Sequence, residues 1–442
     1  MKAWKVEANV RRNTQRRMSN KCYVIVTHLV CLALLLNLPI ASAVASGRGA
    51  FSTATAGTRS NTFGQAFVAV ADDANTARWN PAGLPSLLQT EFTFAHTNLF
   101  TFGGGYFDYA SASDSINQDF VGVAFPNSRL PVGISYLNIS THGLITADAR
   151  GSILDRNAGY AERLLTLSFG KNIARLRGYK VALGFNLNHY RVDARRDRSG
   201  VGADAGVLIR TPRFFPTSSA PQIGVMLHGL TRDVGLDNDE EGEGIPPRIN
   251  LGLAYRFLGD GLTLAGGASK TSGDSDWQYA VGAEYQLRYL YPIYLSIRSA
   301  YQSRGDHSTG GIVTDVGEWT VGGSVHINRL KLDYAYAPHN FIGETHRMTV
   351  SILSEPPTAI YWRRGRQHDA MLEDDAALAA FQQLVTLNPR SAKAYHRMAL
   401  IYERKRQIQE AIGYLERVRK TDADYFAEHG LEQFIVDLQD QR

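Results

Sequence analysis

The 442-residue chain has only two cysteines, Cys22 and Cys31, and both fall within its first 43 residues. Past that point there is no thiol for a disulfide, a metal cluster or covalent catalysis. Long apolar runs are also missing. After residue 43 no stretch approaches the roughly 18 consecutive apolar residues of a membrane helix. Catalytic signatures are absent as well: there is no G-x-S-x-G elbow, Walker loop, H-E-x-x-H or paired metal-ligand spacing. His189 and His326 stand alone on strand-like segments. No enzyme, cofactor or metal centre is expected.

Residues 1–43 carry a targeting pattern. Lys2, Lys5, Arg11, Arg12, Arg16, Arg17 and Lys21 precede an apolar run from Tyr23 to Ile40, then Ala41-Ser42-Ala43 and Ala43-Val44-Ala45, either of which fits a cleavage site. This reads as a signal peptide with an A-x-A cleavage site. Its seven basic residues and one acidic residue, Glu7, exceed the net +5 of the whole chain, so the remainder is near −1. The excess of positive charge therefore belongs to the leader, and a nucleic-acid partner is excluded.

The abundant residues are glycine, at 41, and tyrosine plus phenylalanine, at 40 together. With 44% hydrophobic residues, this composition suits an all-β protein with many turns and aromatic girdles. Residues 89–354 show period-2 alternation. Trp277, Tyr279, Val281, Ala283, Tyr285 and Leu287 alternate with Gln278, Ala280, Gly282, Glu284 and Gln286. Ile249, Leu251, Leu253, Tyr255 and Phe257 alternate with Asn250, Gly252, Ala254 and Arg256. Several such segments run about 9–13 residues, the length at which a tilted strand crosses a membrane. About fourteen are expected, at 89–100, 118–126, 131–140, 161–170, 179–192, 201–211, 221–231, 248–257, 261–270, 277–288, 292–303, 318–327, 329–337 and 346–354. Long connections (101–117, 141–160, 232–247, 304–317) mostly alternate with short ones, as in outer-membrane barrels. The apolar face then meets lipid and the small, polar face lines a lumen. Arg256, Glu284, Arg298, Lys331, Asp333 and Arg347 are expected to face that lumen, where charges must pair or stay wet.

Residues 44–88 differ. Gly64–Leu84 is rich in Ala, Gly and Asp, too irregular for a strand and too poor in large apolar residues for a core of its own. It is expected to be a plug inside the barrel. Asp72 and Asp73 would meet cations such as Arg298 and Lys331, and Pro81 and Gly83 would turn the chain toward the first strand. The acidic loop at Asp237–Glu243 and the tripeptide Arg304-Gly305-Asp306 read as solvated loop sequence.

After Pro356-Pro357 the pattern changes again. Residues 355–366 read as a basic, aromatic linker, and 367–442 as helices. Ser391–Asp424 carries Ala394, Tyr395, Met398, Ala399, Tyr402, Ala411, Tyr414 and Leu415, small and large apolar positions that would interlock two antiparallel helices. This resembles the tetratricopeptide repeat, with a half repeat before it and one helix, about 425–440, after it.

The elements Ala71-Asp72-Asp73 and Trp79-Asn80-Pro81-Ala82-Gly83-Leu84, with Gly343-Glu344-Thr345-His346-Arg347 before the last strand, resemble the PorV/PorQ family of outer-membrane proteins. More distantly the chain resembles the long-chain fatty-acid transporter (FadL) family, which shares the Asn80-Pro81-Ala82-Gly83 element. The resemblance implies a fourteen-stranded outer-membrane barrel whose N-terminal hatch gates passage of hydrophobic small molecules. The PorV branch implies an alternative, a secretion or envelope-assembly accessory recruiting a periplasmic protein through residues 367–442. In either case the plug and the C-terminal helices would lie on the periplasmic side and the barrel's partner would be lipid. The chain departs from both families by ending its barrel at Ile352-Leu353-Ser354, without a terminal aromatic, and by adding helices.

Overall fold

The computed structural model describes residues 56–101, 116–126, 129–147, 150–176, 178–193, 197–212, 220–230, 246–257, 261–272, 276–287, 292–303, 318–339 and 343–440. The expected signal peptide with its two cysteines, the first part of the expected plug, the acidic loop and Arg304-Gly305-Asp306 lie outside these residues.

Fourteen antiparallel strands close into one barrel in which each strand pairs with its neighbours in sequence. They are β1 (Glu91–Thr101), β2 (Ile116–Phe125), β3 (Val132–Ala147), β4 (Ile153–Leu176), β5 (Tyr179–Asp193), β6 (Arg198–Arg210) and β7 (Gln222–His228). There follow β8 (Arg248–Phe257), β9 (Leu262–Thr271), β10 (Gln278–Leu287), β11 (Ile293–Gln302), β12 (Glu318–Ile327), β13 (Leu330–His339) and β14 (Gly343–Leu353). The seam is closed by β1 on β14, from Glu91↔Leu353 to Asn98↔His346. Glu91 and Leu353 mark what is called here the turn end of the barrel; the opposite end is the loop end.

Alternation sets which way each side chain points. On β10, Tyr279 and Val281 are 53% and 65% exposed, whereas Ala280 and Glu284 between and beyond them are buried. Phe92, Phe94, Leu165, Leu187, Ile297, Val321, Leu332 and Met348 continue an exposed apolar belt around the outside. So large an apolar surface is unfavourable in water and favourable in lipid. No helix of the described residues is long and apolar enough to cross a membrane.

Two strands are much longer than expected. Residues 141–160, expected as a loop, are largely ladder: Thr141↔Tyr160, Leu144↔Ala158 and Ala147↔Ile153 pair β3 with β4. Strand pairing needs only backbone, so beyond the membrane the ladder continues after the apolar alternation that reveals it has stopped. β7 is shorter than expected. Gly229, at φ 68°, turns the chain out of the strand, and its N–H donates to Asp204 Oδ1 at 3.0 Å.

The expected linker is also corrected. Residues 357–366 belong to a helix, α4 in the order of the chain, over Pro357–Ala370. Pro357 sits in the first turn, where its missing N–H costs nothing. Ile360 is fully buried, and Trp362 lies 5.7 Å from Phe381. The partner helix is α5 (Asp374–Leu387), followed by α6 (Ala392–Arg404) and α7 (Ile408–Thr421). The expected single last helix is two, α8 (Ala423–Glu428) and α9 (Leu431–Asp440), broken at Gly430 with φ 63°. α4 packs on α5, and α6 on α7. Ala394, Met398, Ala399, Ala411 and Leu415 form the core of the second pair, while Tyr395, Tyr402 and Tyr414 stack along it.

His396 gives this helical region a pH dependence. Its Nδ1 lies 3.1 Å from the Tyr425 hydroxyl, and its ring meets that of His429 edge-on. Burial, with His429 and Arg397 adding to it, lowers its pKa from the ordinary 6.5. The unfolded chain then binds the proton more readily. Stability from this group is complete above about pH 6.5 and is lost as the pH falls below it. The helical melt should therefore occur at lower temperature at pH 5.5 than at pH 7.5, and His396→Gln should shrink the difference.

Candidate functional site: the plug and its clasp

The plug is a chain of single turns: α1 (Thr58–Phe63), a 3₁₀ turn at Gly64–Ala66, α2 (Phe67–Val70), α3 (Thr76–Trp79) and a 3₁₀ turn at Pro81–Ser86. None is long enough to be stable alone. Each is held by the wall instead. α1 lies against β10–β14, Gly64–Ala66 against β8–β10, α2 against β7–β9, α3 against β2–β4 and Pro81–Ser86 against β3–β6. Glu91 of β1 accepts the Ala74 N–H at 3.2 Å. The plug thus touches every strand, and nearly all of residues 56–84 are buried.

Close approach depends on a belt of glycines on the inner wall, one each on β4 to β10. Gly170 pairs with Gly184, Gly184 with Gly206, and Gly224 with Gly252, which pairs with Gly267. A Cβ at Gly184 would overlap Ala82 N, one at Gly224 would overlap Val68 O, and one at Gly267 would lie 2.5 Å from Ala66 N. The belt lets plug backbone lie directly on wall backbone.

The turn at Asn80-Pro81-Ala82-Gly83 is inside the barrel, against β4, β5 and β6. Asn80 is fully buried and extended, with its side chain fastening three points. Nδ2 donates to Val68 O at 2.8 Å and to Val207 O of β6 at 3.2 Å, and Oδ1 accepts from Ala82 N at 3.2 Å. The indole of Trp79 donates to Ala56 O at 2.9 Å and packs edge-on against Phe67. Gly83 presses on the Ala71 carbonyl, where a Cβ would come within 2.5 Å.

On the other side of the plug the fastening is ionic. Arg59 of α1 reaches Asp72 at 2.5 Å, Asp73 at 3.1 Å and Glu284 at 2.6 Å. Glu284 continues to Arg298 at 3.3 Å, and Arg298 to Asp333 at 2.8 Å. Lys331 lies 3.4 Å from Asp333 and 4.0 Å from Asp73, while Arg256 reaches Asp72 at 2.9 Å. Arg59, Arg256, Arg298 and Lys331 thus face Asp72, Asp73, Glu284 and Asp333, four charges of each sign in one connected clasp. Pairing at this closeness offsets the desolvation that would otherwise exclude buried charges.

The expected lumen charges are all on the inner face, including Arg347, which shares it with buried Thr345 and Thr349. Their partners differ in part from expectation. Asp73 meets Lys331, but Arg298 is taken by Glu284 and Asp333, and Asp72 by Arg59 and Arg256. Arg59, the centre of the clasp, was missed in the sequence. The one available signal was an arginine in a glycine- and threonine-rich stretch shortly before paired aspartates.

A second cluster holds α3. Asp204 of β6 accepts from Asn188 at 2.8 Å and Asn186 at 3.3 Å, and lies 3.4 Å from His228, whose Nδ1 is 3.2 Å from Arg78 of the plug. One part of the inner wall is apolar: Ala95, Phe120, Leu137, Leu164 and Tyr190, from β1 to β5, pack together beside Ala56.

No protein-family model matches the chain. No curated protein matches it either. Among solved structures it is similar to the Ralstonia pickettii toluene transporter TbuX, at 11% identity and a TM-score of 0.45, over 67% of this chain and 97% of that one. It is similar to a Pseudomonas aeruginosa FadL homologue at 11% identity and a TM-score of 0.42, over 70% and 98%. The Pseudomonas putida toluene transporter TodX is similar at 9% identity and a TM-score of 0.39, over 64% and 95%. These likenesses concern barrel architecture, and no residue role is carried across from them.

Proposed function

We propose that this chain is an outer-membrane barrel that admits hydrophobic small molecules past its plug, with the plug and the C-terminal helices on the periplasmic side. The observation that supports this most is the apolar cluster on an inner wall lined mostly by small and polar residues. Phe120, Leu137 and Leu164 turn inward beside Ala56 of the plug. The cluster is packed and buried with the plug in place, so an apolar solute would meet it once the plug shifts. The Asp72-Asp73 and Trp79–Leu84 elements keep the PorV/PorQ resemblance within this proposal. Leu137→Asn and Leu164→Asn, in barrels that remain heat-modifiable on gels, should slow uptake of a hydrophobic fluorescent probe into proteoliposomes several-fold. Deleting residues 64–84 should instead open the lumen to small polar solutes. Unchanged probe uptake in both leucine variants would reject the reading.

The mounting of the helical region favours the accessory role as a second reading. Glu355 N donates to Gln89 Oε1 at 2.9 Å, which fixes the start of the helices beside the foot of the plug. The pairs α4–α5 and α6–α7 are proposed as tetratricopeptide-like repeats that receive a periplasmic protein. If deleting residues 357–440 abolishes function in cells while the barrel and its permeability stay intact, this second reading replaces the first.

A further inference from the structure

Asp204, His228 and Arg78 meet where the plug touches the loop-end side of the inner wall. His228 is the last residue of β7, and its side chain is 15% exposed. Asp204 on β6 and Arg78 on α3 are buried. Arg78 Nη1 lies 3.2 Å from His228 Nδ1, and Asp204 Oδ2 lies 3.4 Å from the same nitrogen. An arginine carries donors and no acceptor, so the Arg78 bond exists only when Nδ1 presents a lone pair. His228 is then neutral, with its proton on Nε2.

One nitrogen cannot serve both neighbours. Protonated, Nδ1 carries a hydrogen that Asp204 can accept, and Arg78 then faces a like charge 3.2 Å away in place of an acceptor. The other groups around the imidazole add to that crowding. From β8, Arg248 stands directly opposite His228, held by Asn250 Oδ1 at 3.0 Å and by Ser269 Oγ of β9 at 3.0 Å. From β5, Asn186 and Asn188 already donate to Asp204, and Tyr190 faces Asp204 and Arg78. With His228 protonated, Arg78, His228 and Arg248 are three cations facing one carboxylate among the described residues. His228 and Arg248 are fixed on paired strands. Arg78 sits on a single turn, Thr76–Trp79, too short to be stable alone, so α3 is the part that gives way.

We propose that His228 is a proton-operated latch on the plug. Neutral, it accepts the Arg78 bond that ties α3 to β7. Protonated, it bonds to Asp204 and drives Arg78, and α3 with it, away from the wall. The signal is the acidity of the medium at the loop end. The proposal rests on the transport reading only in taking the plug as the closure of the lumen.

The test uses the full-length protein in planar bilayers. Conductance is recorded at about pH 7.5 and about pH 5.0, an interval in which imidazoles titrate while ordinary carboxylates stay largely ionised. Wild type, His228→Gln, His228→Asn and His189→Gln are compared, the last a histidine on the exposed outer face of β5. Heat-modifiable migration at both pH values establishes that each barrel is folded. Wild type and His189→Gln should conduct several-fold better at the acid pH, whereas the two His228 variants should conduct equally at both. Equal conductance at the two pH values in wild type overturns the latch. So does an acid response that persists in a folded His228 variant or is lost in His189→Gln. The transport reading is judged apart, by probe uptake at neutral pH in the leucine variants: slowed uptake there beside a flat pH profile in wild type removes the latch alone.

Discussion

Arg59→Met should release the plug. The substitution keeps length and apolar bulk but removes the charge that faces Asp72, Asp73 and Glu284 at once. Four carboxylates would then face three cations, with Asp73, Glu284 and Asp333 buried and Asp72 open to water. Removing one partner of a buried ion pair costs about 3–5 kcal/mol, because the other is left uncompensated. Most of that cost is avoided if the plug swings into water, since its short turns have little stability of their own to lose. A rise in conductance in planar bilayers is expected, together with a lower temperature for the heat-induced gel shift. Arg59→Lys keeps the charge without the planar fork, so it should fall between wild type and Arg59→Met. Adding Glu284→Gln to Arg59→Met should recover part of the stability, as the orphaned charge is removed. A conductance identical to wild type in Arg59→Met would mean that the clasp does not hold the plug.

Gly184→Val should have a comparable effect by a steric route. A Cβ at position 184 overlaps Ala82 N and the Pro81 carbonyl carbon, and both are backbone. Backbone cannot rotate away as a side chain does, so the cost should exceed the usual 1–3 kcal/mol or so for overpacking. On either side, Gly170 presses on the Pro81 carbonyl oxygen and Gly206 on the Asn80 side chain, so the turn is hemmed in along the wall. The valine variant should expose the Asn80–Gly83 turn to added protease and raise conductance, with Gly184→Ala intermediate. Leu183→Val, on the lipid face of the same strand, should change neither. Protection of the turn in Gly184→Val equal to that in wild type would contradict the tight contact.

The strands were legible because a barrel in lipid imposes one rule at every position. β8 and β12 fall where alternation placed them, since Arg248–Phe257 and Glu318–Ile327 alternate for their whole length. The same rule hid the outer parts of β3 and β4, where neither face meets lipid. Inward charges were legible for a similar reason: Glu284 and Arg298 are intolerable on a face with Val281 and Ile297, so they belong on the other. Their pairings were not. Whether Arg298 meets Asp73 or Asp333 depends on how far each strand is staggered and on where the plug's turns fall, and neither leaves a periodic trace. The helix at Pro357–Ala370 was obscured by its composition. YWRRGR reads as a membrane-edge linker until Phe381 is seen to fill the space left by Gly365.

The seam has a consequence for the order of assembly. Thr58 N donates to Thr349 Oγ1 at 3.0 Å, across 291 residues of chain, and Thr349 on β14 is paired with Ala95 on β1. The residue that receives Thr58 of the plug thus lies on the strand that shuts the cylinder, and that strand is made last. Contacts so distant in sequence form late and slowly. Until β14 arrives, the sheet is an open trough and the plug can be laid into it from the side. Afterwards the lumen can be entered only from an end. Lining the trough and zipping the seam are one event, so a plug that misses its place should stall the barrel as an open sheet with two unpaired edges.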